Sequence, residues 1–151
     1  MTMPLPAAGG GTALYTPQIL ALAVELADFP LSDDLTRRGE AVSRVCGSRV
    51  AIGLTTATDG AIERIGARVT ACAIGQAAAA LFARAASGAS AGELANALAA
   101  IDAWLAGDEP APRWPGLMLL EPARAYPARH PAILLPWRAA LAALSNPVRA
   151  D

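Results

Sequence analysis

The stretch Arg49 to Leu54 alternates, with Val50, Ile52 and Leu54 on one face and Arg49, Ala51 and Gly53 on the other. Side chains along a strand point to opposite faces in turn, so this period of two predicts a half-buried β-strand. Thr58-Asp59-Gly60 follows as a hairpin turn, since Asp-Gly tolerates the positive φ that tight turns require. Ala61 to Thr70, with apolar Ile62, Ile65 and Val69, is then the partner strand, and its uneven spacing predicts a bulge near Gly66. Glu40 to Val45 predicts a third, antiparallel strand. The middle of the chain is thereby committed to a small antiparallel sheet.

Helical signals flank it. Tyr15 to Asp28 has Thr16 as a cap, Pro17 at the first helical position and an apolar stripe of Ile19, Leu20, Ala23, Val24 and Ala27. Phe29-Pro30 ends that helix, and Leu31 to Glu40 reads as a polar connecting loop. Cys72 to about Ala86 is small and apolar nearly all round, the pattern of a buried helix, and Ser87-Gly88 stops it. Ser90, with Glu93 three residues on, is a capping-box signal for a helix to about Leu105. Gly107 to Pro115 is a Pro-rich loop, Leu117 to Arg124 a short helix, and Ile133 to Leu144 the last helix. Pro131 and Pro136 predict irregular first turns there. Together these predict an α+β fold: a small antiparallel sheet of about three strands with helices packed on one face. Residues 1–13 read as a disordered lead-in, 14–145 as a single domain, and 146–151 as a tail.

The 151 residues suit one domain, and 54% apolar content supplies a sizeable core. With 17% charged residues and a net charge of −1, no basic excess exists to track a phosphate backbone, so nucleic acid is not an expected partner. The basic residues are 12 Arg and no Lys, and 38 residues are Ala. The longest apolar run, Ala71 to Ala83, contains Gly75 and Gln76 and is too short to span a membrane. The N-terminus has no basic start and no continuous apolar segment, unlike a signal peptide. The expected location is cytoplasmic, where Cys46 and Cys72 would be thiols.

Catalytic side chains are scarce. The absence of Lys excludes lysine-based covalent catalysis. Gly9 to Gly11 follows no strand and is not a phosphate loop. The carboxylate pairs Asp33-Asp34 and Asp108-Glu109 lie in charged loops and read as solvated surface. Trp104, Trp114 and Trp137 read as core or core-edge packing. The two thiols are placed more tellingly. Cys46 falls in the turn Arg44-Val45-Cys46-Gly47-Ser48, just before the strand from Arg49, where Gly47 would let the backbone approach a neighbour closely. Cys72 falls where a strand ends and a helix begins, and the helix dipole there favours thiolate. Cys46 starts one strand and Cys72 ends the next, so an antiparallel hairpin brings both to one edge of the sheet. Paired thiolates suit a soft metal such as zinc or iron. Two buried, inert thiols are the alternative reading. A lone His130, after Tyr126-Pro127-Ala128-Arg129, is on its own more commonly structural or exposed than a ligand.

Taken together, these features resemble the NifU/IscU/SufU-type iron–sulfur cluster assembly scaffold family, most of all its SufU-like branch. Cys46-Gly47-Ser48 is similar to the family's Cys-Gly-Asp turn, and Cys72-Ala73-Ile74-Gly75 to its second Cys and the small residues after it. Leu14 to Leu20 resembles the opening helix, and Asp59-Gly60 falls at the hairpin turn. Trp104 to Pro110, then Tyr126-Pro127-Ala128-Arg129 and Trp137-Arg138, follow the branch's order. The resemblance covers about Leu14 to Leu144. Two positions depart from it. Ser48 stands where the family has Asp, and the third Cys is replaced by Ala132 in an ungapped match, or by Pro131 if His130 is aligned with the His of the IscU-like branch.

The resemblance implies an iron–sulfur cluster assembly scaffold, or a carrier of sulfur and metal. It would bind Zn, Fe or an iron–sulfur cluster through Cys46 and Cys72, with His130 as third ligand. Three such ligands and a water would complete a tetrahedral zinc site, whereas two thiolates from each of two subunits would share a cluster. A cysteine desulfurase is the implied partner, and the reading leaves room for a homo-oligomer. This is carrier chemistry without turnover of a small substrate, so no enzyme activity is expected. The alternatives are a metal-free paralogue that acts as a protein-interaction module in iron–sulfur biogenesis, and a redox switch in which the two thiols form a reversible disulfide.

Overall fold

In the computed structural model, which describes residues 14–148, three strands form one antiparallel sheet: β1 (Arg37–Val42), β2 (Arg49–Thr56) and β3 (Ile62–Thr70), in that order. The register sets Gly39 beside Ile52 and Ile52 beside Ala67, so these share a face with Val50 and Leu54, which are fully buried. The expected alternation therefore holds. Two boundaries differ. The first strand begins at Arg37, inside the stretch read as a loop, and stops at Val42 instead of reaching Val45. It stops because Ser43 N–H donates to the Ser48 carbonyl at 2.9 Å and Gly47 N–H to the Ser43 carbonyl at 2.8 Å, which folds Ser43 to Ser48 into a closed turn. The sheet's irregularity lies between Thr55 and Thr56, while Gly66 pairs in register with Gly53. Gly66 reports a close approach, not a bulge: a Cβ there would collide with the Pro30 carbonyl and the Leu35 side chain.

Four α-helices are present among the described residues: α1 (Pro17–Glu25), α2 (Ala73–Ala85), α3 (Ala91–Leu105) and α4 (His130–Ser145). Thr16 Oγ1 caps α1, accepting from Ile19 N–H at 3.1 Å. The α3 capping box forms in both directions, with Glu93 N–H donating to Ser90 Oγ and Ser90 N–H to Glu93 Oε1. Leu117–Ala125 is a 3-10 segment carrying Pro122, which has no N–H for an α-helical bond. The last helix starts at His130, not Ile133. Pro131 sits in its first turn, where a backbone N–H has no helical partner anyway, and the helix continues through Pro136.

Helix α4 lies across β1 and β2 on the apolar face of the sheet. It approaches so closely that a Cβ on Gly39 would meet the backbone of Ala139 and Ala143. Ala77 to Ala80 of α2 are fully buried, and their small side chains let α2 pack against both α1 and α4. Phe82, Trp114 and Trp137 fill the space between. The Phe82 and Trp114 rings are stacked at 5.6 Å, and each meets Trp137 edge-on, at 5.2 and 5.1 Å. Trp104 is buried beneath Arg124, whose guanidinium stands 4.9 Å from the ring while its Nε donates to the Trp104 carbonyl at 2.8 Å. The opposite face of the sheet is closed by Leu31 and Leu35, which press on Gly53 and Gly66. No helix among the described residues is long and apolar enough to cross a membrane.

Candidate functional site

Cys46 and Cys72 reach the same end of the sheet by different routes. Cys46 rides on the closed turn between β1 and β2. Gly47 serves that turn by its φ of 72°, a left-handed conformation; a Cβ there would meet nothing within 4 Å, so close approach is not its role. Cys72 follows β3 by two residues and is the N-cap of α2, with extended backbone at φ −67° and ψ 174°. The ladder joins the two routes, because Arg49 at the start of β2 pairs with Thr70 at the end of β3. Gln76 steadies the junction, its Nε2 donating to the Ala71 carbonyl at 2.9 Å.

Both cysteines are free thiols, Cys46 exposed and Cys72 half-buried. Together with Gly47, Ser48, Thr70, Ala71, Arg129 and Ala132 they line one open pocket of about 290 Å³. The sequence expectation that the hairpin unites the thiols at one edge is met in this respect.

Ser48 and Ser43 are the buried polar side chains closest to Cys46. Their hydroxyls lie 3.1 and 3.4 Å from Cys46 Sγ. Partial burial pushes the Cys46 thiol up, but hydrogen bonds from the Ser43 and Ser48 side chains, and from the Ser48 and Cys46 backbone, outweigh it. The net effect holds this thiol below its ordinary value. Ser48, where the resemblance led one to look for Asp, thus solvates the thiolate without adding a charge. Tyr15, just before α1, also belongs to the site. Burial raises its phenol first, the adjacent Cys72 raises it further, and Arg129 acts in the opposite sense.

Of the two positions that match the missing third Cys, Ala132 is the one on the pocket wall. His130 stands between two lining residues in sequence, Arg129 and Ala132, but its own side chain turns elsewhere. Its Nε2–H donates to the Ala123 carbonyl at 3.0 Å, and it does not line the pocket. Among the described residues no three His, Cys, Asp or Glu side chains come together as a metal-binding group. The protein donors converging here are therefore two thiols.

Sequence reasoning missed Tyr15, Ser43 and Arg129 as members of the site. Ser43 had a usable signal, since a hydroxyl three residues before a turn cysteine can fold back on it. Tyr15 and Arg129 arrive through tertiary packing of α1 and α4, and nothing local marks them.

No family model and no curated protein matches the chain. Solved structures do match. A nitrogen-fixing NifU-like protein (N-terminal) from Brucella abortus superposes with a TM-score of 0.78 at 31% identity, over 91% of this chain and 96% of that one. A putative iron–sulfur cluster assembly scaffold protein for the SUF system from Fervidobacterium islandicum AW-1 superposes with a TM-score of 0.75 at 21% identity, over 87% and 97%. A hypothetical protein gives a TM-score of 0.63 at 19% identity, over 85% and 97%. The last two share the fold.

Proposed function

This chain belongs to the NifU/IscU/SufU-type family, and on that premise we propose that it serves iron–sulfur cluster assembly as a two-thiol scaffold or carrier of metal and sulfur. The observation that carries this reading is the shared pocket: Cys46 and Cys72 face one open space, and two buried hydroxyls favour the thiolate of Cys46. Thiolates are the ligands that select zinc and iron–sulfur units over hard cations. Iron, zinc or a cluster is the cargo here and is passed on. His130 is the remaining candidate donor, and it would have to release the Ala123 carbonyl to bind.

Sulfur would arrive as a persulfide on a cysteine desulfurase. The Cys46 thiolate attacks the outer sulfur, the S–S bond of the donor breaks, and the donor cysteine leaves as a thiolate. One S–S bond replaces another, with no net oxidation. Cys46 suits this step because it is the exposed thiol and the one held toward thiolate. Passing on bound metal and sulfur turns over no small substrate, so our reading is of a carrier and not an enzyme. Reduced thiols of this kind persist in the cytoplasm, where we place it.

A second reading is a metal-free interaction module. It is favoured by Ala132 on the pocket wall, a methyl where a third thiol would complete the site. Elemental analysis of protein purified without chelator, beside Cys46→Ser and Cys72→Ser, separates the two. Zinc or iron that disappears in both variants supports the carrier. A folded, metal-free parent that also takes up none from solution leaves the interaction module.

A further inference from the structure

We propose that the cargo this pocket fits best is a monovalent soft ion, Cu(I), held in line between Cys46 and Cys72 of one chain. The proposal rests on the two-thiol carrier reading above and names the class of metal that the donor set selects. Zinc completes a tetrahedron of four ligands, and iron–sulfur units are held by sets of thiolates larger than a pair. This pocket offers less. Ala132 brings a methyl to the wall and Ser48 an uncharged hydroxyl, so neither adds an anionic donor. Among the described residues no third His, Cys, Asp or Glu joins the two thiols, and His130 spends its Nε2–H on the Ala123 carbonyl. Cu(I) is the ion that such a pair satisfies. Soft sulfur matches its polarisable shell, and of these metals it asks for the fewest ligands.

Charge points the same way. Two thiolates around a zinc ion are neutral, and the half-buried Arg129 on the pocket wall would leave that site positive. Two thiolates around Cu(I) carry one negative charge, which the Arg129 guanidinium balances. The serines fit as well. A sulfur bound to one metal keeps lone pairs, and the Ser43 and Ser48 hydroxyls, 3.4 and 3.1 Å from Cys46 Sγ, can donate to them with the ion in place. Release is served by exposure. Cys46 stands at the surface, so a thiolate of a receiving protein can form its own Cu–S bond before the bond to Cys46 breaks. Loading gives both thiol protons to water and forms two Cu–S bonds. No electron moves, because the ion enters already as Cu(I). The sulfur that would accept a persulfide is then occupied, so copper and sulfur are mutually exclusive cargoes.

The test is anaerobic titration of the full chain with Cu(I) supplied on bicinchoninate, a chromogenic chelator, beside parallel titrations with zinc and ferrous iron. The expected result is a single Cu(I) per chain, kept when zinc is added in excess, with both thiols shielded from iodoacetamide. Cys46→Ser and Cys72→Ser should each surrender the ion to the chelator. Arg129→Gln removes the balancing charge and neither ligand. It should weaken Cu(I) binding about tenfold, about 1.4 kcal/mol, at low salt and with unchanged stoichiometry. Copper displaced by zinc overturns the preference and leaves the carrier reading intact. Copper retained by a folded single-cysteine variant overturns the in-line site. Unchanged affinity in Arg129→Gln overturns the charge balance and the preference built on it. A folded chain that takes up none of the three metals overturns this proposal and the carrier reading together.

Discussion

Replacing Gly39 by Ala tests how the sheet holds the helix that carries one wall of the pocket. The new methyl would point from β1 into the backbone of α4 at Ala139, Ala142 and Ala143. These are main-chain atoms, so no side-chain rotation makes room, and the helix must withdraw by on the order of 1 Å. A gap of about 0.5–1 Å already forfeits a quarter to a half of the dispersion attraction across it. Overpacking of this kind costs about 1–3 kcal/mol, and a backbone obstacle argues for the upper end. The reduced freedom of the unfolded chain returns about 0.4–1 kcal/mol. The net loss is about 2–2.6 kcal/mol. For a chain of this length that lowers the melting temperature by about 4–10 °C, readable by circular dichroism. Gly92→Ala is the matched control. It lies in α3, where the nearest atom to a new Cβ is 3.9 Å away, and it should stabilise by about 0.5–1 kcal/mol. If Gly39→Ala melts within about 1 °C of the parent while Gly92→Ala behaves as stated, the argument from helix–sheet approach is wrong.

Three further outcomes follow from the site and the core. Ser43→Ala combined with Ser48→Ala removes the hydroxyls that stabilise the Cys46 thiolate. The pH at which Cys46 half-reacts with iodoacetamide should move up, because a depressed value relaxes toward the ordinary one; an unmoved profile would deny those serines their role. Ala132→Cys places a third thiol on the pocket wall and should tighten zinc binding by more than about tenfold, about 1.4 kcal/mol, in competition with a chromogenic chelator. No gain would mean that Ala132 is not the position of the missing ligand. Phe82→Ala opens a cavity between Trp114 and Trp137 and should destabilise by about 3–5 kcal/mol in urea, with loss of near-ultraviolet dichroism; a cost under about 1 kcal/mol would show that the rings are loosely packed.

The hairpin, both capped helices and the meeting of the two thiols were readable because each has a local signal: a period of two, a hydroxyl before a helix, a residue at a known end of a strand. The boundary at Val42 was not readable, because it depends on backbone bonds between Ser43, Gly47 and Ser48 that any residues could make. Gly66 misled for a similar reason. A glycine in a strand signals either a bulge or a close neighbour, and the neighbour here, Pro30, comes from a distant part of the chain. The choice between Ala132 and Pro131 also waited for three dimensions. It turns on which side of α4's first turn faces the sheet edge, and Ala132 does.

The unlike surroundings of the two cysteines have a practical side. Cys46 stands exposed on a turn tip, while Cys72 is half-buried at the head of a helix packed into the core. The sequence has no other thiol and no lysine. A maleimide dye offered briefly to the native protein should therefore mark Cys46 first. That leaves a single fluorophore at the mouth of the pocket and tryptophans in the core as energy donors, with no engineered residue required.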